Sequence, residues 1–202
     1  QFSEPTSGDV ENALRALKAQ GATSYILDLR YNPGGLLTQS VEVSELFLPK
    51  NRVVVSTRGR MKSQNSELGS QRDPIVDTTV PLVVLVNGGS ASAAEIVSGA
   101  IQDWDRGVIM GTQTFGKGSV QTIFPMDKKY SLKLTAAFYY TPSGRCINKR
   151  ENGIRWKNKE AAKDSAASDT ASVAQKDWQQ KPFTPNWLPN SLIRFSMSAR
   201  PL

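Results

Sequence analysis

Pro81-Leu82-Val83-Val84-Leu85-Val86 is the strongest strand signal in the chain, apolar and largely β-branched. It stops at Asn87-Gly88-Gly89 and runs into a helical stretch from about Ser92 to Trp104. A strand, a glycine turn and a helix in that order make a βα unit, and the same order recurs along the chain. Ser7 to Ala19 reads as a helix, with Val10, Ala13, Leu14 and Leu17 on one face, Ser7 or Asp9 as its cap, and Gly21 as its stop. Ser24 to Leu29 suits a buried strand, which Tyr31-Asn32-Pro33-Gly34-Gly35 breaks sharply. A helix over Leu36–Phe47 and a strand at Val53-Val54-Val55 follow. Arg58 to Thr79 is polar and charged and reads as a long excursion. Val108-Ile109-Met110 is strand again, and Gly118–Phe124, Leu132–Phe138 and Tyr139–Ile147 suggest further strands, antiparallel at the end. The alternation predicts an α/β core of βα units with a largely parallel sheet and additional C-terminal strands.

The 202 residues suffice for one substantial domain, and 39% hydrophobic with 21% charged residues is an ordinary globular balance. The composition shifts near Asn148. Residues 1–147 carry the α/β pattern; 148–181 are charged and alanine-rich and read as a mobile or loosely helical insert; 182–202 regain aromatics and prolines and are expected to return to the core. The net charge of +7 comes from scattered basic residues without an aromatic–basic recognition motif, which argues against nucleic acid as a partner. Cys146 is the single cysteine, so an internal disulfide or a cysteine metal site is excluded. The chain starts at Gln1 within what reads as a strand, as a fragment of something longer would.

The chain has no histidine. A serine hydroxyl needs a base before it attacks a carbonyl, so a serine–histidine–acid triad is impossible within one subunit, and a desolvated lysine amine is the substitute. Ser92 opens the helix after the strongest strand, where unpaired N–H groups and the helix dipole favour a developing oxyanion. Ser92 with Glu95 three positions on is also a capping-box pattern, and Ser90 rivals Ser92 for either role. Lys117 sits between Gly116 and Gly118. If a strand begins there, Lys117, Ser119 and Gln121 share a face, and the Gln121 amide can hold the Lys117 amine. Burial would then favour the neutral amine as a general base; the alternative is an exposed lysine in a polar turn. Asn32-Pro33-Gly34-Gly35 either points backbone N–H groups into a cavity, as an oxyanion hole does, or is a plain strand-to-helix turn. Asp28 and Arg30 beside it read as a structural ion pair rather than catalytic groups. Gly116-Lys117-Gly118-Ser119 lacks the upstream glycines of a phosphate-binding loop.

Asp28-Leu29-Arg30-Tyr31-Asn32-Pro33-Gly34-Gly35, Gly89-Ser90-Ala91-Ser92-Ala93-Ala94-Glu95-Ile96 and Gly111-Thr112-Gln113-Thr114-Phe115-Gly116-Lys117-Gly118-Ser119-Val120-Gln121 together resemble the carboxy-terminal processing (tail-specific) proteases. The resemblance implies Ser92 as nucleophile, Lys117 as base and Gln121 as the residue that orients the lysine. It places oxyanion donors at Gly34, Gly35 and Ala93, and Glu95 where the family usually carries glutamate. It implies a Clp protease/crotonase-like core and a serine endopeptidase acting on C-terminal or unstructured segments of extracytoplasmic proteins, in a bacterial periplasm or cell envelope. It implies no metal and no organic cofactor. A PDZ domain is expected in the full-length parent, and no PDZ-like stretch is visible here. Thr184-Pro185-Asn186 is at most a remnant of the family's closing Gly-Ile-x-Pro-Asp segment. Two alternatives stand beside this reading. One is a non-catalytic scaffold that binds protein termini with a misaligned dyad. The other is an acyl-CoA enzyme, which leaves Lys117 and Gln121 without a role.

Overall fold

The computed structural model of the protein describes residues 1–127 and 129–149. Three helices and seven strands follow in the order α1 (Thr6–Ala19), β1 (Tyr25–Asp28), α2 (Leu37–Glu45), β2 (Val53–Gly59), β3 (Ser66–Gly69), β4 (Leu82–Val86), α3 (Ala93–Asp103), β5 (Val108–Gly111), β6 (Ser119–Pro125) and β7 (Ser131–Tyr140). Strands β1, β4 and β5 form a parallel sheet in the order β1-β4-β5. Its register runs Tyr25↔Leu82 to Asp28↔Leu85, and Val83↔Val108 to Val86↔Gly111.

The parallel sheet is smaller than the sequence predicts. Four strands instead build an antiparallel sheet in the order β3-β2-β7-β6. The Val53-Val54-Val55 run joins this second sheet, and the polar excursion after Arg58 carries a short 3₁₀ turn and β3. Polar residues hid β3 because only half of it is covered: Ser66 and Glu67 face water, while Leu68 and Gly69 are half-buried. The two final strand signals, Leu132–Phe138 and Tyr139–Ile147, fuse into the single strand β7, which ends at Tyr140. The insert 148–181 and the segment 182–202 lie outside the described residues, apart from Asn148 and Lys149.

Helix α3 lies at the centre. Every residue from Ala93 to Ile101 is buried. A helix apolar or small on all sides must be surrounded by protein. It packs on α2 and beside β2 and β5. The α2 face carries buried Ser40 and Ser44, whose hydroxyls donate back to the Leu37 and Ser40 carbonyls, 2.7 and 2.8 Å away. Among the described residues no buried side-chain polar atom lacks a hydrogen-bond partner. Around this pair, Leu46, Phe47, Leu48, Val54, Val55, Val84, Ile96 and Ile101 are almost wholly buried. Each such side chain contributes roughly 1.5–3 kcal/mol. Arg106 closes the bottom: its buried guanidinium donates to the carbonyls of Phe47, Val80 and Asp77 at 2.9–3.1 Å, and burial lowers its pKa.

Two local expectations need correction. Ser7 does not cap α1, which follows Pro5 and has no side-chain cap. Ser7 lies inside the helix and ties it to α2, its N–H donating to Gln39 Oε1 and its hydroxyl to Glu42 Oε2. Strand β1 is buried only in part: Tyr25 is covered, while Ile26, on the opposite face of the sheet, is 71% exposed.

Candidate active site

The three sequence motifs meet because they occupy the loops after β1, β4 and β5. These strands are neighbours and parallel, so their carboxyl ends lie side by side. Two asparagines and a serine stitch the first two loops together. Asn87 Oδ1 accepts from Gly89 N–H in its own loop and from Tyr31 N–H in the loop after β1, both at 3.0 Å. Asn32 Oδ1 accepts from Gly34 N–H at 3.0 Å, and the Asn32 carbonyl accepts from Ala91 N–H at 2.9 Å. Ser90 is fully buried; its hydroxyl donates to the Leu29 carbonyl at 2.7 Å and accepts from Asn87 N–H at 2.9 Å. Ser90 is thus committed to structure. The asparagines escaped the sequence reading, although both sit in an Asn-x-Gly turn (Asn32-x-Gly34, Asn87-x-Gly89), the pattern by which an asparagine side chain closes its own turn.

Ser92 differs from Ser90 in every respect. It is half-buried and holds φ 53°, ψ −114°, at the head of a capping box with Glu95. That backbone costs a non-glycine residue on the order of 1–3 kcal/mol, and it persists because both flanks are held. A serine on such a strained strand-to-helix turn presents its hydroxyl outward. Gly34 stands against it: a Cβ there would lie 2.6 Å from Ala91 O, 2.7 Å from Ser92 Cβ and 2.8 Å from Ala93 N. With φ at +93°, only glycine fits the position without strain.

The three expected oxyanion donors are not equivalent. Gly34 N–H is spent on Asn32. Gly35 N–H and Ala93 N–H make no hydrogen bond among the described residues. Phe2 fixes this loop, its N–H donating to Gly34 O and its carbonyl accepting from Leu36 N–H, both at 3.0 Å.

Glu95 joins the third loop to the first two. It is 5% exposed, and its carboxylate accepts three backbone N–H groups. Oε2 takes Ser92 N–H at 2.8 Å and Lys117 N–H at 2.9 Å, while Oε1 takes Gly116 N–H at 2.6 Å. Phe115 N–H adds a bond to Ser90 O at 3.0 Å. The capping-box spacing foretold the first of the Glu95 contacts; no local pattern foretells the two across 21 and 22 residues.

The lysine side chain does not follow the expectation of a dry amine. Lys117 is exposed, with no hydrogen bond to Ser92 or Gln121 among the described residues. The reason is local. Gly118 is buried against the backbone of Ile147 and Asn148, and Gly116 lies against the Lys149 side chain. The glycines take the inward positions, and the residue between them faces out. Gln121 is exposed as well, on β6, the outer strand of its sheet. Asp28 and Arg30 form an exposed ion pair at 2.7 Å, and the guanidinium lowers the Asp28 pKa to about 2. Among the described residues no cluster of three or more metal-ligating side chains occurs, and no helix is long and apolar enough to cross a membrane.

Residues 1–155 match peptidase family S41, and the chain belongs to that family. It is 48% identical over 151 residues to a carboxy-terminal-processing protease of Bartonella bacilliformis, covering 73% of this chain and 34% of that one. It is 39% identical over 149 residues to the carboxy-terminal processing protease CtpA of Bacillus subtilis, covering 74% and 31%. Among solved structures it resembles a photosystem II D1 C-terminal processing protease, with a TM-score of 0.68 and 36% identity over 73% of this chain and 38% of that one. The chain thus spans about a third of the length of these relatives.

Proposed function

We propose that the chain is the catalytic core of a serine endopeptidase that uses Ser92 and Lys117 as a dyad and cleaves C-terminal or unstructured segments of proteins. One observation carries the reading: a single oxygen of buried Glu95 accepts the N–H groups of both Ser92 and Lys117, so two residues 25 positions apart are clamped to one point. The names of the relatives support the same substrate class, as does the sequence resemblance, which also supplies the extracytoplasmic setting and the kinship with the Clp protease/crotonase core.

In this reading a peptide laid over the three loops displaces water from Lys117. The neutral amine takes the proton of Ser92 Oγ, and Oγ bonds to the scissile carbonyl carbon. Gly35 and Ala93 N–H groups hold the oxyanion, with Gly34 as the spacer that lets them approach. The amine returns the proton to the leaving nitrogen as the C–N bond breaks. It then takes a proton from the water that attacks the acyl-serine and gives it to Ser92 Oγ as the ester C–O bond breaks. Gln121, four residues after Lys117 on β6, orients the amine in this reading.

The test is labelling by a fluorophosphonate probe. Ser92 takes the probe in the wild-type chain, Ser92→Ala abolishes the adduct, and Lys117→Ala slows it by about a thousandfold or more. Labelling of Lys117→Ala at the wild-type rate excludes Lys117 as the base.

A further inference from the structure

Strands β6 and β7 form a hairpin that runs beyond the rest of its sheet. β2 pairs only with residues 137–140 of β7, so the ribbon from Gln121 to Thr135 projects without a third strand among the described residues. Its end is closed by Met126 and Asp127 N–H groups, which donate to the Tyr130 carbonyl at 2.9 and 3.3 Å. Asp127 Oδ1 braces the turn, accepting from Lys129 and Tyr130 N–H at 2.7 and 2.9 Å.

The outer half of the ribbon is apolar on both faces and at its end. Phe124 stands opposite Leu132 and Thr122 opposite Leu134 on one face, and Ile123 stands opposite Lys133 on the other. Phe124, Leu132 and Leu134 are 42–48% exposed, Ile123 is 64% exposed, and Met126 and Tyr130 at the tip are each 68% exposed. Apolar side chains clustered on a surface in this way mark an interaction site. A groove on a protein partner covers one face of a two-stranded ribbon. Apolar groups on both faces and at the end call for a medium that surrounds the tip.

The charge identifies that medium. The stretches 119–140 and 58–64 together hold six lysines and arginines and one acid, Asp127. Lys129 and Lys133 are exposed beside the apolar tip. Arg58 and Gly59 pair with Phe138 and Ala137, so Arg60, Met61 and Lys62 leave β2 at the root of the ribbon, and all three are exposed. Lys133 lies three residue levels behind Met126, about 10 Å along the strands. That is the depth, roughly 5–10 Å, to which an interfacial segment buries its apolar side in a bilayer.

We infer that the tip of the β6–β7 ribbon docks the protein on an anionic lipid bilayer. Met126, Tyr130, Phe124 and Leu132 enter the interface, and Lys129 and Lys133 reach lipid phosphates. A tyrosine ring suits the headgroup level, and a lysine stem can lie along apolar surface while its ammonium stays among the headgroups. Lys129, Lys133 and the basic root of the ribbon draw the tip towards negative lipid. The contact is interfacial and spans nothing. It needs neither Ser92 nor Lys117, so it stands or falls apart from the peptidase reading.

The test is flotation of the complete chain with vesicles of phosphatidylcholine, either pure or containing about 30% phosphatidylglycerol. The chain is expected to float with the anionic vesicles and to bind the neutral ones about tenfold more weakly. Lys129→Gln combined with Lys133→Gln should remove most of that preference. Met126→Asp should weaken binding to the anionic vesicles by about tenfold or more, with its circular dichroism spectrum unchanged because the side chain is already in water. An environment-sensitive dye on Met126→Cys, where buried Cys146 is the only other thiol, should shift its emission to the blue on binding. The same dye on Glu4→Cys should not. Absence of flotation overturns the inference, as does full binding by Met126→Asp. Binding without a blue shift at position 126 also overturns it, since a chain of net charge +7 then merely adsorbs. So does a dimer in sedimentation that Met126→Asp dissolves and the vesicles do not, because the tip then belongs to a second copy. Fluorophosphonate labelling of Met126→Asp is expected to match wild type. Loss of labelling in the wild-type chain sinks the peptidase reading, while flotation still reports on the tip.

Discussion

The serine and the lysine of this site stand in opposite kinds of structure. Ser92 sits at the mouth of a buried helix, on a turn whose neighbours are pinned by Asn32, Asn87, Ser90 and Glu95. Lys117 has a pinned backbone, but its side chain is exposed, and the strand that follows it is the last of its sheet among the described residues. The turn that carries Ser92, the proposed nucleophile, is pinned on both flanks. Lys117, the proposed base, is fixed only at its backbone, and its side chain is exposed. Strain and polar satisfaction thus sit on one side of the site, and exposure on the other.

The contrast makes Glu95 the most sensitive residue, because its carboxylate accepts the N–H groups of both Ser92 and Lys117. Glu95→Ala strands three buried or half-buried N–H groups and is expected to cost about 3 kcal/mol in urea unfolding. Its fluorophosphonate labelling should fall about a hundredfold or more even where the chain remains folded, since a shift on the order of 1 Å between reacting groups suffices for that loss. Ser90→Ala removes one buried hydroxyl with two bonds and is expected to cost about 2 kcal/mol by the same assay. A cost equal to that of Ser92→Ala would erase the distinction between the structural and the exposed serine. On the other side, Met126→Ser at the ribbon tip should change stability by less than about 0.5 kcal/mol, because the side chain is already in water. A loss of several kcal/mol there would mean that the ribbon is part of the core.

The smallest effect belongs to the Asp28–Arg30 pair. Its folded pKa of about 2 lies below the usual carboxylate value near 3.9, so whatever stability it adds is present above about pH 4 and disappears as the pH falls towards 2. Carbon-detected titration of Asp28 should show that midpoint, and Arg30→Ala should return it to the ordinary range. The pair is exposed, so probe labelling of Arg30→Ala at neutral pH should match wild type.

Much of this was legible in the residues. The βα order, the strand at 82–86 and the helix beginning beside Ser92 follow from periodicity and punctuation, which are local. The histidine count directed attention to lysine, and the three glycine-bearing blocks marked the loops that meet at the carboxyl ends of β1, β4 and β5. Other features were not legible. β2 and β3 joined an antiparallel sheet, because strand pairing is decided by partners far along the chain. The outward turn of Lys117 depends on Ile147, Asn148 and Lys149 packing against Gly116 and Gly118, some thirty residues downstream.

The sequence by itself therefore determined which elements form, which loops carry reactive side chains and which chemistry a chain without imidazole can attempt. These depend on residue type and on spacings within a turn or two. Only the tertiary structure decided that Ser90 is buried while Ser92 is strained and available, that Gly34 has spent its N–H, and that one carboxylate holds both halves of the site. Those outcomes depend on which distant backbone groups compete for each donor and acceptor, and that competition exists only once the chain has closed on itself.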